Sequence, residues 1–174
     1  MNQDTVFENL KVIDCDSHFT EPPELWTSRA PAAMLDKVPV QKTVDGRTAW
    51  YLNGDVWSTT GGNTIQSGHR KVLGSHVVQP FEDIDTSAWA VKERLELCDE
   101  MGIYGQILYP NGVGFASNHV FSIQDLEQRK MVLEIYNDFF VDVQDEGNGR
   151  LFPQAMLPIW DMEFTVAEMT RLLD

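Results

Sequence analysis

Val12-Ile13-Asp14-Cys15-Asp16-Ser17-His18, closing the apolar run that begins at Leu10, decides how the rest of the chain is read. It predicts a β-strand over Lys11 to Asp16 that ends in Asp-x-His. Side chains two apart on a strand share a face, so Asp16 and His18 can present a carboxylate and an imidazole to one point. Such a pair can begin a metal site. Cys15, opposite in phase, is expected as a buried core thiol. Asp-x-His also arises by chance in an acidic chain, the aspartate then accepting backbone hydrogen bonds and the histidine capping a turn. Position favours the site, because parallel barrels and open sheets alike gather their chemistry at the carboxyl ends of the strands.

Downstream, the chain turns irregular at Glu21-Pro22-Pro23, and Glu24-Leu25-Trp26 reads as the start of a short helix. From Val40 to Trp57, Asp45-Gly46 and Asn53-Gly54 flank a short strand and predict a three-stranded meander, since Asx-Gly supplies the positive φ of tight hairpin turns. A lone meander is marginal, so Trp50 and Trp57 are expected to pack it onto another element. Ser58 to Asp85 reads as loop, loosest at Gly61-Gly62-Asn63, and a loop that long is uncommon unless it is a lid or binding segment.

Regular alternation follows. Thr86 or Ser87 is expected to cap a helix carrying Val91, Leu95, Cys98 and Met101 and ended by Gly102. Ile103 to Tyr109 is a short apolar strand of the kind buried on both faces, broken by Pro110-Asn111-Gly112. Ser122-Ile123-Gln124-Asp125 reads as a capping box, and Val132, Ile135, Phe139, Phe140 and Val143 form the stripe of the helix it opens. Gly147-Asn148-Gly149 closes that helix, Leu151 to Leu157 is a third strand, and Asp161 caps a last helix with Val166, Met169 and Leu173 on one side. Alternating strands and helices imply parallel strands. Three such units make the first part of an eight-fold barrel, which typically takes about 250 residues. The alternative is a small open α/β sheet.

The 174 residues fit one domain with a real core, spanning 1–174 and carrying a lid-like insertion over 40–85. With 13 basic against 27 acidic residues the net charge is −14, which argues against a nucleic-acid partner. Two cysteines, Cys15 and Cys98, form no disulfide framework, the first residues lack the pattern of a signal peptide, and no stretch approaches a membrane span. A cytoplasmic protein without a membrane partner is expected.

Five further residues are candidates by position. His119 follows the second strand, on the side where a site would open. Asn111 and Trp160 end the second and third strands and can look into that site as substrate contacts, although Trp160 can equally be packing under the next loop. His69 and His76 lie in the long insertion beside Arg70 and Lys71, where solvated histidines are commoner than ligands. Gly112-Val113-Gly114 lacks the third glycine and the helix start of a dinucleotide fingerprint.

The segment from Val12 through Phe19-Thr20-Glu21-Pro22-Pro23-Glu24-Leu25-Trp26 resembles the opening of the amidohydrolase-related metal enzymes. The branch in question contains aminocarboxymuconate-semialdehyde decarboxylase and the resorcylate-type decarboxylases. Arg94-Leu95-Glu96-Leu97-Cys98-Asp99-Glu100-Met101-Gly102-Ile103 is similar to that branch's first helix and second strand. Gly149-Arg150-Leu151-Phe152-Pro153 with Met156-Leu157-Pro158 resembles its third strand.

The resemblance implies a (β/α)8 barrel around one divalent metal, zinc ahead of manganese, with Asp16 and His18 as the strand-one ligands. It places Glu21 at the mouth, where it would orient a ligand or the loop, and leaves Glu21 and His119 as the candidates for a catalytic role. The family's later histidines and its last-strand aspartate match nothing here, because the sequence reaches only the third helix; catalytic zinc normally takes three protein ligands. The implied activity is metal-dependent hydrolysis or non-oxidative decarboxylation of a small carboxylic acid, with this chain supplying half of the metal site and inactive alone. The rival expectation is a non-catalytic relic or interaction module of the same fold. A three-strand wedge exposes strand edges and apolar faces, so an oligomer, or the missing half of the barrel, is expected to cover them. Trp50, Tyr51, Trp57 and Phe81 in the insertion suit an aromatic acid, or serve only the meander's own packing.

Overall fold

The computed structural model describes residues 10–59, 81–113 and 118–173. Two three-stranded sheets organise them. One is parallel, in the order β1 (Ile13–Phe19), β5 (Gly105–Pro110), β6 (Leu151–Pro153); the other is an antiparallel meander of β2 (Val40–Val44), β3 (Arg47–Leu52) and β4 (Asp55–Thr59). The helices are α1 (Val91–Met101), a single turn α2 (Asn118–Phe121), α3 (Leu126–Glu146) and α4 (Met162–Leu173). The result is a mixed α/β fold, with a helix after each parallel strand. No helix among the described residues is long and apolar enough to cross a membrane.

The meander forms where its turns require it. Asp45 and Gly46, and Asn53 and Gly54, all take positive φ, which Asx-Gly pairs tolerate at little cost. Trp50 is fully buried, its ring 4.8 Å from Trp26 and edge-on to it; Trp57 stands 5.8 Å from the same ring. Trp26 donates its indole N–H to the carbonyl of Val132 in α3. Asn53 and Gln128 exchange amide hydrogen bonds of 3.2 and 3.0 Å, tying the second hairpin turn to α3 as well. The meander is thus tied to α3 through Trp26 and through the Asn53–Gln128 amide pair.

Several boundaries differ from the sequence reading. β1 starts two residues later than expected and runs on through His18 to Phe19. The 23–29 stretch is a run of turns, followed by a 3-10 helix at Ala32–Lys37. Thr86–Ala88 is a 3-10 turn capped by the Asp85 carboxylate, so α1 opens at Val91 without a side-chain cap. Asp125 caps α3 by accepting from the amides of Glu127 and Gln128, whereas Ser122 bonds back to His119. β6 stops at Pro153, which has no N–H to continue the ladder; Gln154 then donates to Leu108 instead.

The core lies between the parallel sheet, the meander and α3. Phe19, Leu108, Leu151, Val132, Leu133 and Tyr136 are all fully buried there, and Phe19 packs edge-on against Phe140. Helix α4 behaves otherwise. Asp161 caps it as expected, yet Val166, Met169 and Leu173 are 61, 45 and 84% exposed, and the buried positions are Thr165 and Glu168. The opposite face of the sheet is also open, at Ile13 and Phe152.

Candidate functional site

The register of β1 against β5 sets the site. Ile13 pairs with Gly105 and Asp14 with Gln106, but the next pair is Ser17 with Leu108. Cys15 and Asp16 therefore oppose the single residue Ile107, which is a β-bulge. Three residues apart, Asp14 and Ser17 would lie on opposite faces of a regular strand; here the Ser17 hydroxyl donates to Asp14 Oδ2 at 2.5 Å. Ile13 and His18 take the other face, with the His18 ring 6.2 Å from that of Tyr109. Cys15 and Asp16, both exposed, stand opposite Ile107, whose place between Gln106 and Leu108 puts it on this second face. The expectation that Cys15 is a buried core thiol is thus corrected, because the extra residue removes its phase difference from Asp16. The same bulge takes Asp14 away from His18 and leaves Asp16 as the carboxylate sharing its side.

His18 is held at both ends. Its Nδ1–H donates to the carbonyl of Pro110 at 2.7 Å; a carbonyl only accepts, so in the neutral ring the lone pair belongs to Nε2. This is the arrangement in which metal-binding histidines are oriented by a backbone carbonyl. The His18 carbonyl accepts 2.9 Å from Arg94 Nη2. Asp16 and His18 are suitable donors for a divalent ion, but they are two. Among the described residues no group of three or more His, Cys, Asp and Glu side chains comes together to hold a metal.

Behind the pair, on the helix side, lies a polar network that sequence reasoning missed. Gln106, 5% exposed, donates to Asp14 Oδ2 at 3.0 Å and to Ser17 Oγ at 2.9 Å, and accepts from Arg94 Nη1 at 3.4 Å. Arg94 also donates to the carbonyls of Ser87 and Ala88. Burial lowers the Arg94 pKa, and the Ser17 hydrogen bond lowers that of Asp14. A signal was present: Arg94 lies three residues after Val91 and four before Cys98, so a charge sits on the buried stripe of α1.

Glu21 is 1% exposed, not at the mouth of a site. Its Oε1 accepts from the amide of Asn111 at 3.0 Å and more weakly from Val113, and its Oε2 from Gly112 at 2.7 Å. Burial raises its pKa, and the amides pull it partly back. The Tyr136 hydroxyl, fully buried, is pushed well above its ordinary value by desolvation and by the Glu21 charge. Glu21 thus anchors the loop that leaves β5. Asn111 is buried in that anchor, its amide donating to Thr20 Oγ1 at 3.0 Å, and Ser58 Oγ donates to the Gly112 carbonyl.

His119 lies in α2, not in a loop, with its ring 5.9 Å from Trp57 and its carbonyl accepting from the Trp57 indole. Trp160 packs 5.3 Å from Phe121 with the Arg129 guanidinium over its face. Both residues pack within the helix and meander layers. His69 and His76 lie outside the described residues, as do Gly61-Gly62-Asn63 and Gly114.

No family model matches this sequence, and no curated protein matches it. Among solved structures, the chain is similar to the crystal structure of an amidohydrolase from Mycobacterium avium subsp. paratuberculosis K-10. The TM-score is 0.64 and the identity 17%, over 95% of this chain and 47% of that one. The chain spans about half the length of that structure, and the two share an amidohydrolase-like fold.

Proposed function

We propose that this chain forms the first three β/α units of an amidohydrolase-type barrel and supplies the strand-one half, Asp16 and His18, of a divalent-metal site. The observation that carries the reading is the 2.7 Å bond from His18 Nδ1–H to Pro110, which makes Nε2 the lone-pair nitrogen of a ring on the face shared with Asp16. The likeness to half of a solved amidohydrolase supports the barrel, as does the uncovered stripe on α4, where a following β/α unit would pack. On this reading residues 1–174 are one partial domain, and the 40–85 insertion is a lid over the carboxyl ends of the strands. The two free cysteines agree with a reducing, cytoplasmic setting.

The reaction proposed for the completed site is hydrolysis or non-oxidative decarboxylation of a small carboxylic acid, aromatic acids included. Held by Asp16 and His18 with the ligands of the completed barrel, a divalent ion, zinc ahead of manganese, would supply Lewis-acid polarisation of a substrate carbonyl or carboxylate oxygen. The chain's own residues prepare the place. Pro110 fixes the His18 tautomer, Arg94 holds the His18 backbone, and Glu21 keeps the 111–113 loop from shifting at the end of the neighbouring strand. Two ligands fall short of the three that catalytic zinc takes, so the chain is inactive without the residues that complete the barrel.

Native mass spectrometry with added Zn²⁺ or Mn²⁺ tests this. One ion per chain, lost in His18→Ala and in Asp16→Ala, is the expected result. Equal ion retention by both variants would refute the assignment. A chain that takes up no ion would leave the other reading, a non-catalytic relic or interaction module of the same fold.

A further inference from the structure

A bulge is a weak point in a strand. It leaves a residue unpaired, and nothing in the ladder itself prevents the strand from slipping by one residue. In β1 such a slip would be decisive, because each one-residue shift carries a side chain to the other face. The sheet would then present Asp14, or Ser17, where Asp16 and His18 now stand.

Gln106 is placed to prevent this. It sits opposite Asp14, the last residue before the bulge, and its single amide nitrogen donates to the residues on both sides: Asp14 Oδ2 at 3.0 Å and Ser17 Oγ at 2.9 Å. Ser17 in turn donates to Asp14, closing a three-membered ring of hydrogen bonds over the extra residue. The remaining Gln106 oxygen accepts from Arg94, whose other arm holds the His18 carbonyl. The Gln106 side chain is buried, although Asp14 and Ser17 are themselves half-buried, so the network is only partly shielded from bulk water.

We propose that Gln106 is a positioning residue for the Asp16–His18 pair: its amide staples the bulge in β1 and so fixes the strand phase that puts both side chains on the face opposite the helices. Gln106 touches neither residue's side chain. It acts through the backbone of β1, and the inference rests on the metal reading only for its effect on ion affinity.

The test uses the full chain with ¹⁵N-labelled histidine. Long-range ¹⁵N–¹H spectra report which His18 nitrogen carries the proton, and a Zn²⁺ titration followed on the same resonances reports affinity. In the wild type the Nδ1–H tautomer is expected. In Gln106→Leu the tautomer is expected to become mixed, and Zn²⁺ to bind about tenfold more weakly, the scale of losses when a ligand's supports are removed. Ser17→Ala, a smaller change that keeps Gln106, should move both readouts the same way and serves if Gln106→Leu does not fold. Val143→Ala, a core truncation in α3 away from the network, controls for lost stability. The inference is overturned if the foldable network variants keep the wild-type tautomer with affinity within twofold, or if Val143→Ala weakens the site as much. Should the wild type bind no Zn²⁺, the metal reading fails, while the tautomer still decides the role of Gln106.

Discussion

Adding one methyl group at Gly112 tests whether the meander, the β5 loop and the Glu21 anchor form one rigid junction. An alanine Cβ at this position would stand 2.9 Å from Trp50 Nε1, 3.0 Å from Glu21 Oε2 and 3.2 Å from the Thr59 carbonyl. None of these atoms is the loose end of a surface side chain. Trp50 is fully buried against Trp26, Glu21 is held by three amides, and the Thr59 oxygen is backbone. The backbone at Gly112 is not in the left-handed region, so alanine is not resisted by its own conformation. Overpacking a tight site costs about 1–3 kcal/mol, and the lower chain entropy of alanine returns about 0.4–1 kcal/mol. The net loss for Gly112→Ala is therefore about 1–2 kcal/mol, or about 2–8 °C in Tm for a chain of this size. Urea unfolding followed by tryptophan fluorescence measures it. A variant as stable as the wild type, or more so, would show that the junction yields and that Glu21 does not hold the loop.

Trp50→Ala should cost about 3–5 kcal/mol in the same assay, the usual loss for a buried tryptophan; a loss below about 1 kcal/mol would mean the meander is not part of the core. Glu21→Gln replaces the carboxylate with an amide whose NH₂ would face the Gly112 N–H, so it destabilises at every pH. Because burial raises the Glu21 pKa above the ordinary 4.5, its favourable term is full below that value and fades as pH rises through the folded pKa. The stability gap between wild type and Glu21→Gln should accordingly be wider near pH 4 than near pH 8, and a gap that widens with pH would contradict the sign. Val166→Lys combined with Met169→Glu, on the open side of α4, should change unfolding free energy by less than about 1 kcal/mol; a larger loss would show the stripe to be covered in solution.

What the sequence revealed depended on how local the signal was. Asp45-Gly46 and Asn53-Gly54 announce their hairpin turns because positive φ is a property of two adjacent residues. Gly102, at φ 69°, ends α1 for the same reason. The bulge left no such mark. Asp14-Cys15-Asp16-Ser17-His18 reads as smooth alternation, and only the positions of Gly105 to Pro110, some 90 residues on, show that one residue is extra. Glu21 was legible as a residue near the site but not as a buried anchor, since its three partners are backbone amides that every sequence offers. The apolar side of α4 was read correctly as a stripe, but periodicity describes a helix and not what lies against it.

The pairing of β1 with β5 has a consequence for the order in which the chain acquires its parts. The first hairpin of the meander closes over a separation of 5 residues, Thr43 to Thr48, whereas His18 meets Pro110 across 92. Loop-closure entropy grows with the logarithm of length, which puts the second contact roughly 2.5 kcal/mol behind the first before any packing is gained. Parallel pairing over such distances is slow, whereas the hairpins of the meander and α3 can form from nearer neighbours. The bulge, the His18 tautomer and the shared face with Asp16 all come into being only when β1 docks on β5. Folding intermediates of this chain can therefore carry the meander and α3 and none of the half-site, and any ion bound by Asp16 and His18 would act as a late clamp on this long-range contact.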